Sequence, residues 1–177
     1  MTLGVCVGRF SPLHLGHMQN LDELLRRHGQ EHLVVLGSAN SPMTERNLFT
    51  YEDRSTWLRR CYPKLRIAPL PDFNSDHDWL YALNDLVRLA QEYPDCPVFY
   101  GGCKEDLDIF SSRGYTTEVW DRSGPGRPNI SATMVRKMMA NEEDVRSYLD
   151  PRIHDDVVRT YGKRREQLRQ QMLAISI

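Results

Sequence analysis

Gly8-Arg9-Phe10-Ser11-Pro12-Leu13-His14-Leu15-Gly16-His17 follows directly on the short apolar segment Leu3 to Val7, and its reading decides the fold. An apolar run, a glycine- and proline-bearing turn, and then a helical start make a strand–turn–helix unit. In α/β proteins such a turn places backbone N–H groups and a helix N-terminus where an anion can sit. Two histidines three residues apart add two imidazoles to that place. Gly8 lets the backbone approach a phosphate, Pro12 stiffens the loop, and Gly16 permits close packing at the helix start. An H-x-x-H pair also suits zinc, but no third ligand of suitable spacing is evident, so no protein-held metal is expected.

Outward from this turn, apolar segments recur at wide spacing: His32 to Leu36, Leu65 to Leu70, Pro97 to Tyr100 and Thr116 to Trp120. Continuous apolar runs suit strands buried on both faces. Between them lie stretches of helical period. Leu15, Met18, Leu21, Leu24, Leu25 and His28 share a stripe that Gly29 is placed to end. Thr50 to Asp53 spells a capping box ahead of Trp57 and Leu58, and Ser75 to Asp78 repeats the signal ahead of Trp79, Leu80, Leu83, Leu86 and Val87. Strand then helix, repeated, predicts an α/β fold: a Rossmann-like, doubly wound parallel sheet of about five strands with right-handed crossovers. Asp121 to Asn129, rich in Gly and Pro, reads as a loop. Ser131 reads as the N-cap of a helix through Ala140, and Asp150-Pro151 as the N-cap and first position of a last helix.

The chain has 177 residues, the size of one domain, with a core over about 1–150 and a helical extension over 151–177. Its 23 basic and 24 acidic residues nearly cancel, which gives no electrostatic argument for nucleic acid or an anionic membrane. No apolar run approaches the ~18 residues of a membrane span. A signal peptide pattern is also missing, so a cytoplasmic protein is expected. Cys6, Cys61, Cys96 and Cys103 lack C-x-x-C spacing and read as reduced thiols in or near the core. Arg159, Lys163, Arg164, Arg165 and Arg169 surround the apolar side of the last helix, Ile153, Val157, Tyr161, Leu168 and Met172, and read as its solvated face.

A second constellation is Ile130-Ser131-Ala132-Thr133-Met134-Val135-Arg136, a helix start with two hydroxyls and an arginine one turn in. Ser131 and Thr133 can donate to phosphate, the helix dipole favours the anion, and Arg136 can pair with a leaving pyrophosphate. Alone the segment is ordinary. Together with the histidine turn it describes a site that splits a nucleoside triphosphate.

GRFSPLHLGH with ISATMVR resembles the nucleotidylyltransferase family, whose pattern is G-x-F-x-P-x-H-x-G-H early and I-S-x-T-x-x-R late. Gly37-Ser38-Ala39-Asn40-Ser41-Pro42 with Arg46-Asn47-Leu48-Phe49-Thr50-Tyr51-Glu52-Asp53-Arg54 is similar to the GSA…R-N-P-F-T-x-x-E-R stretch of archaeal-type nicotinamide mononucleotide adenylyltransferases. Leu48 stands in place of that pattern's proline, and Asp53 in place of its glutamate. The resemblance spans about residues 3 to 150. That type also occurs fused to Nudix domains in bacteria, and no Nudix box is expected after residue 150.

The resemblance implies a transfer of AMP from ATP to nicotinamide mononucleotide, giving NAD and pyrophosphate, with Mg²⁺ held mainly by substrate phosphates. It implies His14, His17 and Arg136 as catalytic groups, and Gly8, Arg9, Phe10, Arg46, Ile130, Ser131 and Thr133 as the ATP-binding set. Asp72 and Trp79, seven apart, have the spacing of the pair that lines the nicotinamide pocket in this subfamily. By residue type alone, Trp79 also reads as a core residue on an amphipathic helix and Asp72 as a turn residue. Gly101-Gly102 fits a close backbone approach to the nucleotide or simple loop closure, and Lys104 is a further phosphate candidate. This subfamily often assembles into homo-oligomers. Two other readings use the same motifs: adenylyl or cytidylyl transfer to another phosphorylated acceptor, and a nucleotide-sensing binding module.

Overall fold

The computed structural model describes residues 2–91, 96–120 and 129–175. Within them, β1 (Gly4–Gly8), β2 (His32–Leu36), β3 (Ile67–Pro69), β4 (Val98–Gly101) and β5 (Thr116–Val119) form one parallel sheet of order β3-β2-β1-β4-β5. Gly4 to Gly8 run in register with His32 to Leu36 on one side, and Gly4 to Cys6 with Val98 to Tyr100 on the other. The chain therefore winds outward from β1 through β2 to β3, then returns to the far side of β1. Strand order reverses between β1 and β4, which is where an open α/β sheet leaves a crevice at its carboxyl edge.

Helices α1 (Leu15–His28), α2 (Tyr51–Cys61), α3 (Asp76–Ala90), α4 (Lys104–Ser111), α5 (Ala132–Ala140) and α6 (His154–Ile175) cover the two faces. Strand alternation sends Cys6, Val34, Leu36 and Tyr100 to the face packed by α1, α2, α5 and α6. Val5, Leu33, Val35 and Phe99 go to the face packed by α3 and α4. The runs at β1, β2 and β4 became strands packed on both faces, while β3 and β5, at the sheet edges, are only partly buried.

The predicted helix signals have local causes in the structure. Thr50 Oγ1 accepts from the Asp53 N–H (3.2 Å) while the Asp53 carboxylate accepts from the Thr50 N–H (3.0 Å), a complete capping box. Ser75 and Ser131 accept from Asp78 N and Met134 N. Gly29, at φ +56°, ends α1 in a backbone region that side chains disfavour.

Four expectations need correction. The last helix begins at His154, not at Pro151: Asp150 accepts from the Arg152 N–H and side chain, and residues 151–153 form a turn ahead of α6. The apolar side of α6 is covered only in its first half; Met172 and Leu173 are exposed. Cys6 and Cys61 are buried thiols, but Cys96 is exposed. Helix α4, with no capping signature in its sequence, was not anticipated: Cys103 at its N-cap makes no side-chain cap. The Gly/Pro loop read at 121–129 lies, except for Asn129, outside the described residues. No helix among the described residues is long and apolar enough to cross a membrane.

Helix α6 is tied to α2 by buried or partly buried polar contacts, beside an outer Arg60–Asp156 ion pair at 3.5 Å. Trp57, fully buried, donates its indole N–H to Asp156 (2.9 Å), and Arg164 forks onto the Asp53 carboxylate at 2.9 and 3.0 Å. Asp53 thus caps α2 and anchors α6 with one side chain. Replacing Arg164 with alanine is expected to lower unfolding free energy by about 1–3 kcal/mol, the scale of hydrogen bonds to a charged group. Asp53→Ala should lower it further, because the cap is lost as well; urea denaturation of the two variants checks the order.

Candidate active site

The crevice after β1 is built from the histidine turn. A Cβ on Gly8 would lie 2.9 Å from the Phe10 ring, so β1 must end in glycine for the turn to close. Phe10 itself is buried and holds φ +49°, a left-handed conformation that packing enforces. His14 caps α1: its Nδ1 accepts from the His17 N–H at 3.3 Å. The two imidazoles stack, centroids 3.6 Å apart and 20° from parallel, with the Phe10 ring 4.8 Å from His17 on a tilted plane. His14 is 1 % exposed, whereas His17 lines the crevice. One histidine therefore builds and supports; the other faces the space where a ligand would sit.

Helix α5 closes the opposite wall. The Ser131 hydroxyl oxygen accepts from Met134 N at 3.1 Å, which leaves its own proton free to donate. Arg136 reaches back across the crevice to the Ser11 carbonyl and contacts Thr133 Oγ1 at 3.3 Å. Together these walls enclose a cavity of 520 Å³ that Gly8, Arg9, Phe10, His17, Asp72, Trp79, Ser131, Thr133 and Arg136 all line. Gly101 and Gly102 line it too. His14 and Ile130 sit behind the wall, and Lys104 does not reach it. Arg46 is exposed and lines a neighbouring 490 Å³ cleft, which shares Thr133 and Arg136 with the main cavity and runs along α6.

The electrostatics of this wall are one-sided. Burial lowers the Arg136 guanidinium from its ordinary pKa, and the positive charges of Arg9 and Arg46 lower it further. Arg9 is lowered by burial and by Arg46, with Asp72 and Asp106 pulling the other way. None of Arg9, Arg46 and Arg136 forms an ion pair among the described residues; their partners are the Asn47 amide, a carbonyl and a hydroxyl. Three mutually repelling cations beside a helix N-terminus make a site completed by a polyanion.

Asp72, after β3, and Trp79, on the first turn of α3, line the same cavity. Trp79 packs one side toward Phe110 (centroids 6.1 Å) in the second core cluster and is half-buried, so it both belongs to the core and borders the cavity. Asp72 is no free turn residue, because the hydroxyls of Ser38 and Ser41 both donate to its carboxylate. Among the described residues, no group of three or more His, Cys, Asp or Glu side chains is placed to hold a metal ion.

Arg54 has no role in the residue-by-residue sequence reading, yet its guanidinium is 3 % exposed and joins the site's two loops. It donates to the carbonyls of Arg9 (2.8 Å), Gly37 (2.9 Å), Ser38 (3.1 Å) and Thr50 (3.1 Å). The signal available in the sequence was an arginine on a helix face that also carries Trp57, Leu58 and Cys61, all buried. An arginine placed there is either misfolded or paired.

A parallel sheet with a histidine-bearing turn at its switch point and arginines along the crevice that form no ion pair among the described residues is the fold and site of a nucleotide-binding α/β protein. The chain belongs to the cytidylyltransferase-like family of nucleotidyltransferases, whose model matches residues 5–138. Among curated proteins it is 31% identical to a nicotinamide-nucleotide adenylyltransferase of Thermococcus onnurineus over 146 residues, 79% of this chain and 73% of that one. It is 36% identical to one of Aeropyrum pernix over 148 residues, 77% and 78% of the two chains. Among solved structures, a bifunctional NMN adenylyltransferase/ADP ribose pyrophosphatase from Francisella tularensis, complexed with AMP and a Mn ion, superposes with a TM-score of 0.76. At 19% identity that match shows the shared fold; it covers 99% of this chain, which spans 56% of the Francisella chain.

Replacing Arg54 with methionine keeps the aliphatic stem and strips four donors from buried carbonyls. Unfolding free energy is expected to drop by about 2–4 kcal/mol, with Arg54→Lys recovering only part of it, since an ammonium cannot span three loops. Equal stability of wild type and Arg54→Met in chemical denaturation would contradict the clamp.

Proposed function

We infer that this protein is a nicotinamide-nucleotide adenylyltransferase, transferring AMP from ATP to nicotinamide mononucleotide with release of pyrophosphate. The observation that carries this reading is that one cavity is lined by His17, Arg9, Ser131 and Arg136 and also by Asp72 and Trp79. Phosphates suit the first set. The second offers an aromatic face and a carboxylate to a pyridinium cation bearing a hydrogen-bond donor. The relatives' names point to the same acceptor.

The phosphate monoester of the acceptor, with a second pKa of ~6, is an anionic nucleophile at neutral pH, so attack on the α-phosphorus requires no general base. This accounts for a site made of donors and cations. In the proposed assignment His17 and the Ser131 hydroxyl donate to the oxygens around the α-phosphorus. Arg136 and Arg9 take the β and γ phosphates, and Arg46 meets the pyrophosphate from the neighbouring cleft. His14 acts from behind, capping α1 and fixing the plane of His17. Gly8, Phe10, Ile130 and Thr133 shape the ATP-binding walls. The catalytic gain lies in alignment of the two phosphates and in charge stabilisation as pyrophosphate leaves.

Among the described residues the carboxylates lining the cavity are Asp72 and Asp106, both within electrostatic reach of Arg9. That donor set fits a divalent cation, proposed as Mg²⁺, carried by the triphosphate oxygens and water. Bound so, it neutralises part of the triphosphate charge.

The test is incubation of the purified chain with ATP, Mg²⁺ and a panel of phosphorylated acceptors, with NAD and pyrophosphate detected by mass spectrometry. NAD should form from nicotinamide mononucleotide; turnover of a different acceptor alone would overturn the reading. His17→Ala should lower kcat by ~10²-fold or more, the scale of a lost charge-stabilising donor, with an unchanged circular dichroism spectrum. Trp79→Ala should raise KM for the mononucleotide more than KM for ATP. Equal rises would make Trp79 a core residue only.

A further inference from the structure

Asp72 is exposed, and an exposed aspartate ordinarily samples several rotamers. Here four hydrogen bonds from one short segment hold it. Ser38 Oγ donates to its Oδ1 at 3.1 Å and Ser41 Oγ to its Oδ2. The Asn40 side-chain amide brackets its backbone, accepting from the Asp72 N–H at 2.7 Å and donating to the Asp72 carbonyl at 3.3 Å. The segment is itself fixed: Ser38 sits at φ +53°, its carbonyl is gripped by Arg54, and the Ala39 N–H bonds to the Leu70 carbonyl at 3.1 Å. Both oxygens of Asp72 are thus oriented by donors from one side, and the carboxylate lines the cavity beside Trp79.

A carboxylate has about four acceptor sites and no donor. Two are taken by the serine hydroxyls, and the others remain for a ligand. A ring substituent that brings an N–H to this position is bound; one that brings a second negative charge meets repulsion and leaves acceptors facing acceptors. We propose that Ser38, Asn40 and Ser41 are positioning residues that lock Asp72 as a fixed acceptor, and that this lock makes the enzyme select the amide-bearing mononucleotide over its acid analogue. The proposal rests on the adenylyltransferase reading above and adds the basis of acceptor selection.

The experiment compares kcat/KM for nicotinamide mononucleotide and nicotinic acid mononucleotide in wild type, Ser41→Ala, Ser41→Thr, Asn40→Ala and Asp72→Asn. The wild-type ratio should favour the amide by ~10²-fold or more, less than the ~10⁴–10⁵ of an enclosed hydrogen-bonding site because Asp72 is exposed. Ser41→Ala and Asn40→Ala should reduce the ratio by ~3–10-fold through KM for the amide, with KM for ATP unmoved, since each loses one hydrogen bond of ordinary worth. Ser41→Thr, which keeps the hydroxyl, should restore it. Asp72→Asn, able to donate to a carboxylate, should abolish or reverse the preference. A wild type that uses both acceptors equally, or alanine variants that keep the full ratio, would overturn the lock while leaving the adenylyltransferase reading intact. Failure to use either acceptor would overturn both.

Discussion

The structure depends on a buried charge that has no counter-ion. Arg54 lies on the inward face of α2, and burial, followed by the nearby charge of Arg9, lowers its guanidinium from the ordinary value. Its charge is met by four carbonyl dipoles, those of Arg9, Gly37, Ser38 and Thr50. Such an arrangement is directional where an ion pair would be merely close. The loops after β1 and β2 leave adjacent strands, and neither contains regular structure that would set its path. Arg54 sets both paths relative to the helix that carries it. The histidine turn and the Asp72 cradle, which both line the cavity, therefore share one reference point.

That fixed frame brings Arg9, Arg46 and Arg136 together, which works against folding stability as like charges in a partly desolvated space must, and Asp72 and Asp106 offset it at Arg9. In the proposed reading a triphosphate relieves the repulsion on binding. Closer compensation by a carboxylate at Arg136 would remove the repulsion and, with it, much of the attraction for an anion.

The parts of this arrangement legible in the sequence are those with short-range causes. The five strands are written as apolar runs, and Thr50, Ser75 and Ser131 announce their helices because capping is a contact across three residues. The histidine turn was readable for the same reason. What was not readable depends on side chains meeting across the sheet. Nothing local distinguishes His14, buried as a cap, from His17, open to the cavity; they differ by 100° of helix rotation per residue and by which wall α5 supplies. Ser38 and Ser41 read as a small-residue loop until β3 delivers Asp72 beside them. Helix α4 was missed because its N-cap, Cys103, makes no side-chain bond, and the start of α6 was misplaced because Asp150 closes a turn before the helix begins.

The first turn of α2 explains why α6 belongs to the working unit. Thr50, Asp53 and Arg54 occupy that turn, and each joins a different neighbour: Thr50 and Asp53 close the capping box, Asp53 receives Arg164 from α6, and Arg54 clamps the nucleotide-side loops. Displacing α6 would withdraw Arg164 from Asp53 and loosen the cap whose carbonyl, Thr50, is also a ligand of the Arg54 guanidinium. An aspartate suits this junction: its short side chain accepts from the Thr50 N–H while both oxygens still face Arg164. The basic residues of α6 thus divide by position. Arg164 is structural, while Arg165 and Arg169 line the cleft that shares Thr133 and Arg136 with the main cavity, where their charge adds to that of Arg46 and Arg136.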